Sequence, residues 1–206
     1  MKAMRLIRGV LLLTWLLPWI AQATDADIFT AASRTQQAAL LEQWSLNPEA
    51  QRLPLLYALG SESLLTDSAK NAFTMNGTLV QPLGAVTSPS GELTKIRLTN
   101  RLRNLVAGTL AIHQLLSDSV TERVAAARTL QREALPAMLP FLQQRLAQET
   151  DAGVKSQLSI ALANLQLNST LPQVRRQAIK LLAESNDPET QARLQPFTQI
   201  EYEPRS

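Results

Sequence analysis

Apolar residues recur along most of this chain with the three-and-four spacing of an amphipathic helix. Residues 25–60 open the pattern. Ile28, Ala32, Leu40, Leu41 and Trp44 can share a stripe, which Gln36 interrupts. Asn47-Pro48-Glu49 reads as a second helix start, with Asn as the cap and Pro at the first helical position. Leu53, Leu55, Leu56 and Leu59 follow, and Gly60 is a natural stop. Residues 61–99 break the rhythm. Gly77, Pro82, Gly84, Pro89 and Gly91 gather there, Asn76-Gly77 is the signal of a type I′ hairpin turn, and Ser88-Pro89-Ser90-Gly91 is a second turn. Leu93 to Leu98 alternates imperfectly. The expectation is a small antiparallel excursion of two or three short strands.

From Asn100 the helical period returns. Leu102, Leu105, Val106, Thr109, Ile112 and Leu116 define one face. Val120, Val124, Ala127 and Leu130 define the next, and Leu139, Leu142 and Leu146 a third, opened by Pro136 or Pro140. Val154, Leu158, Ala161, Leu162 and Leu165 follow, then Val174, Ala178, Leu181 and Leu182, and Asp187-Pro188-Glu189 starts a last short helix. Three segments share a local pattern: a basic residue (Arg123, Lys155, Arg175), a small or apolar residue three on, and Leu seven on. Irregularly spaced, they are similar to HEAT-type repeats, in which a helix pair buries its apolar face only by stacking on its neighbours. A plain bundle is the other reading of the same spacing. The expected fold is therefore mostly α: a HEAT-like α-solenoid or helical bundle with a small β excursion. It divides into N-terminal helices (24–60), the excursion (61–99), repeats (100–195) and a tail (196–206).

Residues 1–23 change the picture. Lys2, Arg5 and Arg8 precede an apolar run from Gly9 to Ile20, and Ala21-Gln22-Ala23 supplies small residues after it. These are the three parts of a secretory signal peptide, and the run is shorter than the ~20 residues that cross a bilayer core. The expectation is export to the periplasm or to the periplasmic face of the inner membrane. Charge then loses its first meaning. The chain has 20 basic and 17 acidic residues and a pI near 9.6, but three of the basic residues lie in the leader. What remains is formally neutral, with no net field to attract a phosphate backbone, so no nucleic-acid partner is expected.

Candidate chemistry is sparse. There is no Cys, and His113 is the one His. A His/Cys metal site and a Cys nucleophile are therefore excluded, and no cofactor is expected. A Ser-His-Asp triad has only His113 to draw on, and its place on an apolar helix face favours a structural role. Asp25 with Asp27, and Glu201 with Glu203, are paired acids near the termini, read as solvated charge. Carboxylate-only hydrolysis remains open to the composition, with nothing pointing to it. Arg97, Arg101 and Arg103 cluster where the strands meet the helices, as candidate partner-binding residues for a carboxylate or acidic surface. A cationic helix start opposes the helix dipole, so an acidic neighbour is expected there.

In order, these features resemble the N-terminal extracytoplasmic region of the permease subunit of bacterial urea ABC transporters, a branch of the branched-chain amino acid permeases. The signal peptide carries the resemblance, with Leu98-Thr99-Asn100-Arg101-Leu102-Arg103, Leu115-Leu116-Ser117, Leu146-Ala147-Gln148-Glu149-Thr150-Asp151 and the Val174-Arg175-Arg176 helix. The resemblance implies a non-enzymatic domain that contributes to urea transport through contact with transporter subunits or the substrate-binding protein. Membrane attachment would come only through a permease domain that this sequence does not contain, and no residue of a urea pathway can be carried over. An independent periplasmic scaffold is the alternative.

Overall fold

A computed structural model describes residues 23–184 and 188–198, the side chains of 189 and 198 excepted. The leader (1–22), Asp187 and the tail beyond 198, with Glu201 and Glu203, lie outside the described residues. Among the described residues the protein is mostly helical, with nine α-helices and one four-stranded antiparallel sheet.

The first stretch is two helices rather than one. α1 (Asp25–Ala31) ends at an extended Ala32, and Ser33 with Gln36 forms a capping box that starts α2 (Arg34–Leu46). Gln36, which looked like an interruption, is the reciprocal partner in that start. The break resets the helical phase, so Ile28 faces water while Phe29, Leu41 and Trp44 are buried. The next start also shifts. Arg52 Nη1 donates to the Asn47 carbonyl at 2.8 Å and Nε to Asp25 at 2.6 Å, holding 47–52 as a connector. α3 (Leu53–Gly60) then begins with Pro54 in its first turn, not at Pro48.

Four strands follow instead of two or three: β1 (Leu64–Thr66), β2 (Ala72–Asn76), β3 (Leu79–Pro82) and β4 (Thr94–Lys95), in the order β3-β2-β1-β4. Asn76 pairs with Leu79, so the hairpin's central residues are Gly77 and Thr78. Only Gly77 of the two has positive φ, +61°. That is the II′ pattern, one residue on from the I′ turn expected at Asn76-Gly77.

α4 (Asn100–Gln114), α5 (Val120–Glu133), α6 (Leu139–Gln148), α7 (Ala152–Gln166), α8 (Pro172–Ala183) and α9 (Pro188–Thr198) complete the chain. Thr99 caps α4 through a bond from the Leu102 amide, 3.3 Å, and Leu98 and Leu102 enter the core on either side of it. α4 ends before Leu116, so Leu115 is buried in its place and Leu116 is exposed.

The cores are linked in series. Leu102, Leu105 and Val106 join the first core, with Phe29, Leu56 and Leu64, whereas Ala111, Ile112 and Leu115 join the second, with Leu130, Leu142 and Leu158. α4 thus belongs to both, and the expected boundary at 99/100 divides no core. α7 repeats the device: Leu162 lies in the second core, while Ala163 and Leu167 lie in the third with Leu182 and Leu194. Each unit buries its apolar face on the next, which is the stacking logic of repeat proteins.

The three aligned basic residues do not share one role. Arg123 Nη1 reaches the Ser117 carbonyl (2.9 Å) and Arg175 Nη1 the Ser169 carbonyl (2.6 Å), each six residues upstream. Both tie down the turn before their own helix, whereas Lys155 is exposed.

Candidate functional site

The site is built from the break between α1 and α2. The two helices leave a crease whose walls are Ile28 and Ala31 on one side and Ala39 and Leu40 on the other. Residues 69–71, in the turn from β1 to β2, close one end, and the resulting groove is about 670 Å³. Ile28 is 43 % exposed on its wall. Among the described residues no helix is long and apolar enough to cross a membrane.

Asp27 fixes the end of the groove. Its Oδ1 accepts from the Ala72 amide at 3.1 Å, and its Oδ2 accepts from the Ala85 amide at 2.9 Å and from Thr24 Oγ1 at 3.0 Å. Burial opposes its charge, but the Ala85 and Ala72 amides and Thr24 outweigh that and hold the carboxyl below its ordinary 3.8. A Cβ on Gly84 would sit 1.9 Å from Asp27 Oδ1, so the absence of a side chain there lets the loop after β3 approach. Asp27→Asn puts an amide donor opposite backbone donors. We expect a loss of about 1–3 kcal/mol, read from the urea midpoint, with unchanged helix content.

The turn that closes the groove is equally determined. Asp67 accepts from the amides of Ala69 (3.0 Å) and Asn71 (2.9 Å) and from that of Ser90 (2.8 Å), while its carbonyl takes the Lys70 amide at 3.1 Å. Thr30 Oγ1 donates to the Lys70 carbonyl. Lys70 is thereby held at φ +69° with its side chain exposed.

The predicted arginines lie at the start of α4, away from this groove's lining. Arg103 Nε donates to Glu62 at 2.8 Å, and Arg101 lies 3.7 Å from Glu42. Arg97 is exposed and makes no ion pair among the described residues. The structure therefore brings the three to one region but turns two of them to different carboxylates of this chain. Such exposed pairs contribute little; Arg101→Ala should shift stability by less than about 0.5 kcal/mol in a urea titration.

His113 is fully buried. Its Nδ1 lies 2.8 Å from the Thr109 carbonyl and therefore donates, which leaves Nε2 as an acceptor without a partner. Burial, first, and the nearby Arg52 charge push its pKa below the ordinary 6.5, against the Thr109 bond and Glu49, which raise it. The folded state therefore prefers the neutral ring. Stability from this preference is complete above pH 6.5 and is lost as pH falls below it, because the unfolded chain takes up the proton first. A His113→Leu chain should show a flatter stability profile between about pH 6.5 and 5 by thermal melts.

No family model, curated protein or solved structure matches this chain. The geometry alone carries the functional argument from here. It offers an open apolar groove with a cation at its rim, on helices fixed by capping and by the half-buried Asp27, and closed by a turn that the buried Asp67 holds. Among the described residues no three His, Cys, Asp or Glu side chains gather as a metal site.

The sequence reading missed the groove because it laid Ile28, Ala32 and Leu40 on one buried stripe. The signal that could have found it was present: Ser33-Arg34-Thr35-Gln36 has the spacing of a capping box, and a capping box inside a helical run marks a second helix.

Proposed function

We propose that this chain is a periplasmic helical-repeat domain of a urea ABC transporter permease and acts without chemistry, through contact with other proteins of the transporter. The resemblance of the Leu98–Arg103 junction and of the Glu149-Thr150-Asp151 turn supports the assignment to that family. The observation that carries the contact role is the groove between α1 and α2. It is an apolar concavity that nothing within the described chain fills, on a scaffold whose cores run in series.

The test is in two parts. The reading frame beyond codon 206 should continue into apolar helices in the native gene. The purified chain should also bind the transporter's substrate-binding protein or its permease in a label-free titration. A chain that binds neither, from a locus without transport genes, returns the assignment to an independent periplasmic scaffold.

A further inference from the structure

We propose that the α1–α2 groove is the docking site for one helix of a partner protein, presenting an apolar stripe flanked by a carboxylate that pairs with Lys70. This deepens the contact role above and rests on it.

Two residues outside glycine adopt positive φ among the described residues, Glu62 at +53° and Lys70 at +69°. Such a conformation is unfavourable for a side chain of this kind, and Asn or Gly would fit it better. At Glu62 the charge has an internal use: its carboxylate takes Arg103 at 2.8 Å and lies 3.9 Å from Lys95. Lys70 has no such use. Its backbone is pinned through its amide and carbonyl, while its ammonium makes no ion pair among the described residues. The fold holds a cation at the rim of an apolar groove and leaves it unpaired.

The bonding of the charged groups around it sets the chemistry of the partner. Asp27, the acid lining the groove, is saturated by Thr24, Ala72 and Ala85. Asp25 is paired with Arg52 and Glu42 with Arg101. Asp27 keeps its negative charge with both oxygens occupied by neutral donors, whereas the Lys70 ammonium is the charged lining group with no ion pair among the described residues, so the group it is free to bond is an acceptor such as a carboxylate.

The groove's hydrogen bonding sets the form. The amides of Ala69, Lys70 and Asn71 are all taken by Asp67, and the other walls are helices. An extended segment would find no backbone partners there, whereas a helix satisfies its own backbone. Ala31 and Ala39 put small side chains on the walls, which favours close approach of a helix.

The full chain, labelled with ¹⁵N, is titrated with two titrants. One is a synthetic amphipathic helix of about 14 residues, four turns, with a Leu/Ala stripe and one flanking Glu. The other is the transporter's substrate-binding protein. Amide shifts confined to 27–43 and 69–71, with affinity for the Glu peptide about tenfold above its Gln counterpart and that preference abolished by Lys70→Glu, support the proposal. Shifts elsewhere, or equal affinity for the two peptides, overturn it. Binding of the substrate-binding protein unaffected by Lys70→Glu and Ala39→Glu also overturns the groove while leaving the contact role standing. Groove shifts with the peptide alone uphold the groove and count against the transporter assignment.

Discussion

Replacing Glu149 by alanine should cost about 3–5 kcal/mol of folding stability, the largest single loss we expect in this chain. The carboxylate is 2 % exposed and lies between two guanidinium groups. Arg123 meets it with two bonds, Nε at 2.9 Å and Nη2 at 3.1 Å, and Arg145 Nη2 with one at 3.0 Å. Glu149 Oε1 also accepts from the amides of Thr150 and Asp151, 2.9 and 3.0 Å away. Arg123 in turn grips the Ser117 and Asp118 carbonyls. One carboxylate therefore fastens the turn into α5, the end of α6 and the turn into α7. Its removal leaves two nearly buried cations without an anion, which is where the cost arises. Replacing all three, as Arg123→Met, Glu149→Leu and Arg145→Met, should recover much of the loss, because the net value of a buried ion cluster is far smaller than the cost of orphaning one member. A urea denaturation series on the parent chain, Glu149→Ala and the triple variant measures both effects. A loss below about 1 kcal/mol for Glu149→Ala would show that the cluster does not fasten these turns.

Acid should act through the same group. Hydrogen bonds from Arg123, first, and from the Asp151 and Thr150 amides hold the Glu149 carboxyl down at about 2, against the burial that raises it. A lowered carboxyl contributes stability that is complete above its ordinary 4.5 and disappears as pH falls toward 2. The His113 decline lies at higher pH. The pH profile should thus fall in two stages, and Glu149→Gln should shrink the lower one, leaving the part that Asp27 contributes, without altering the upper one.

Gly108→Leu is the second large effect, about 3 kcal/mol of destabilisation. A Cβ at Gly108 would stand 2.7 Å from the Glu133 carbonyl oxygen, and that atom is backbone at the end of α5. Glycine costs a helix interior roughly 1 kcal/mol against alanine, so α4 gives up intrinsic stability to let α5 seat closely. A larger residue would force the two helices apart where the second core begins. Gly60 is the control. Its Cβ would meet only the end of the Leu110 side chain, at 3.4 Å, so Gly60→Ala should change the melting temperature by no more than a few degrees.

Where the sequence sufficed, the information was local. The helical period returns at Asn100, where α4 starts, Pro140 and Pro188 sit in the first turns of α6 and α9, and Gly60 closes α3. Helix content and the sheet excursion follow from apolar period and turn residues, which depend on neighbours a few positions apart. The hairpin was legible in place but one residue off in register, because pairing across the strands chooses the central residues and the turn signal does not.

What the tertiary structure alone decided concerns pairs of residues far apart in sequence. Nothing in the local pattern tells that Glu149 lies under Arg123, that Gly108 faces Glu133, or that Asp27 takes the amides of Ala72 and Ala85. The arginines at 97, 101 and 103 could be counted from sequence, but that Glu42 and Glu62 occupy two of them could not. The groove belongs to the same class. Its walls are exposed only because the helix breaks between α1 and α2, and a hydrophobic residue such as Ile28 carries no mark of which side it will face. Period fixes which residues share a helix face, while burial depends on what the rest of the chain brings against that face.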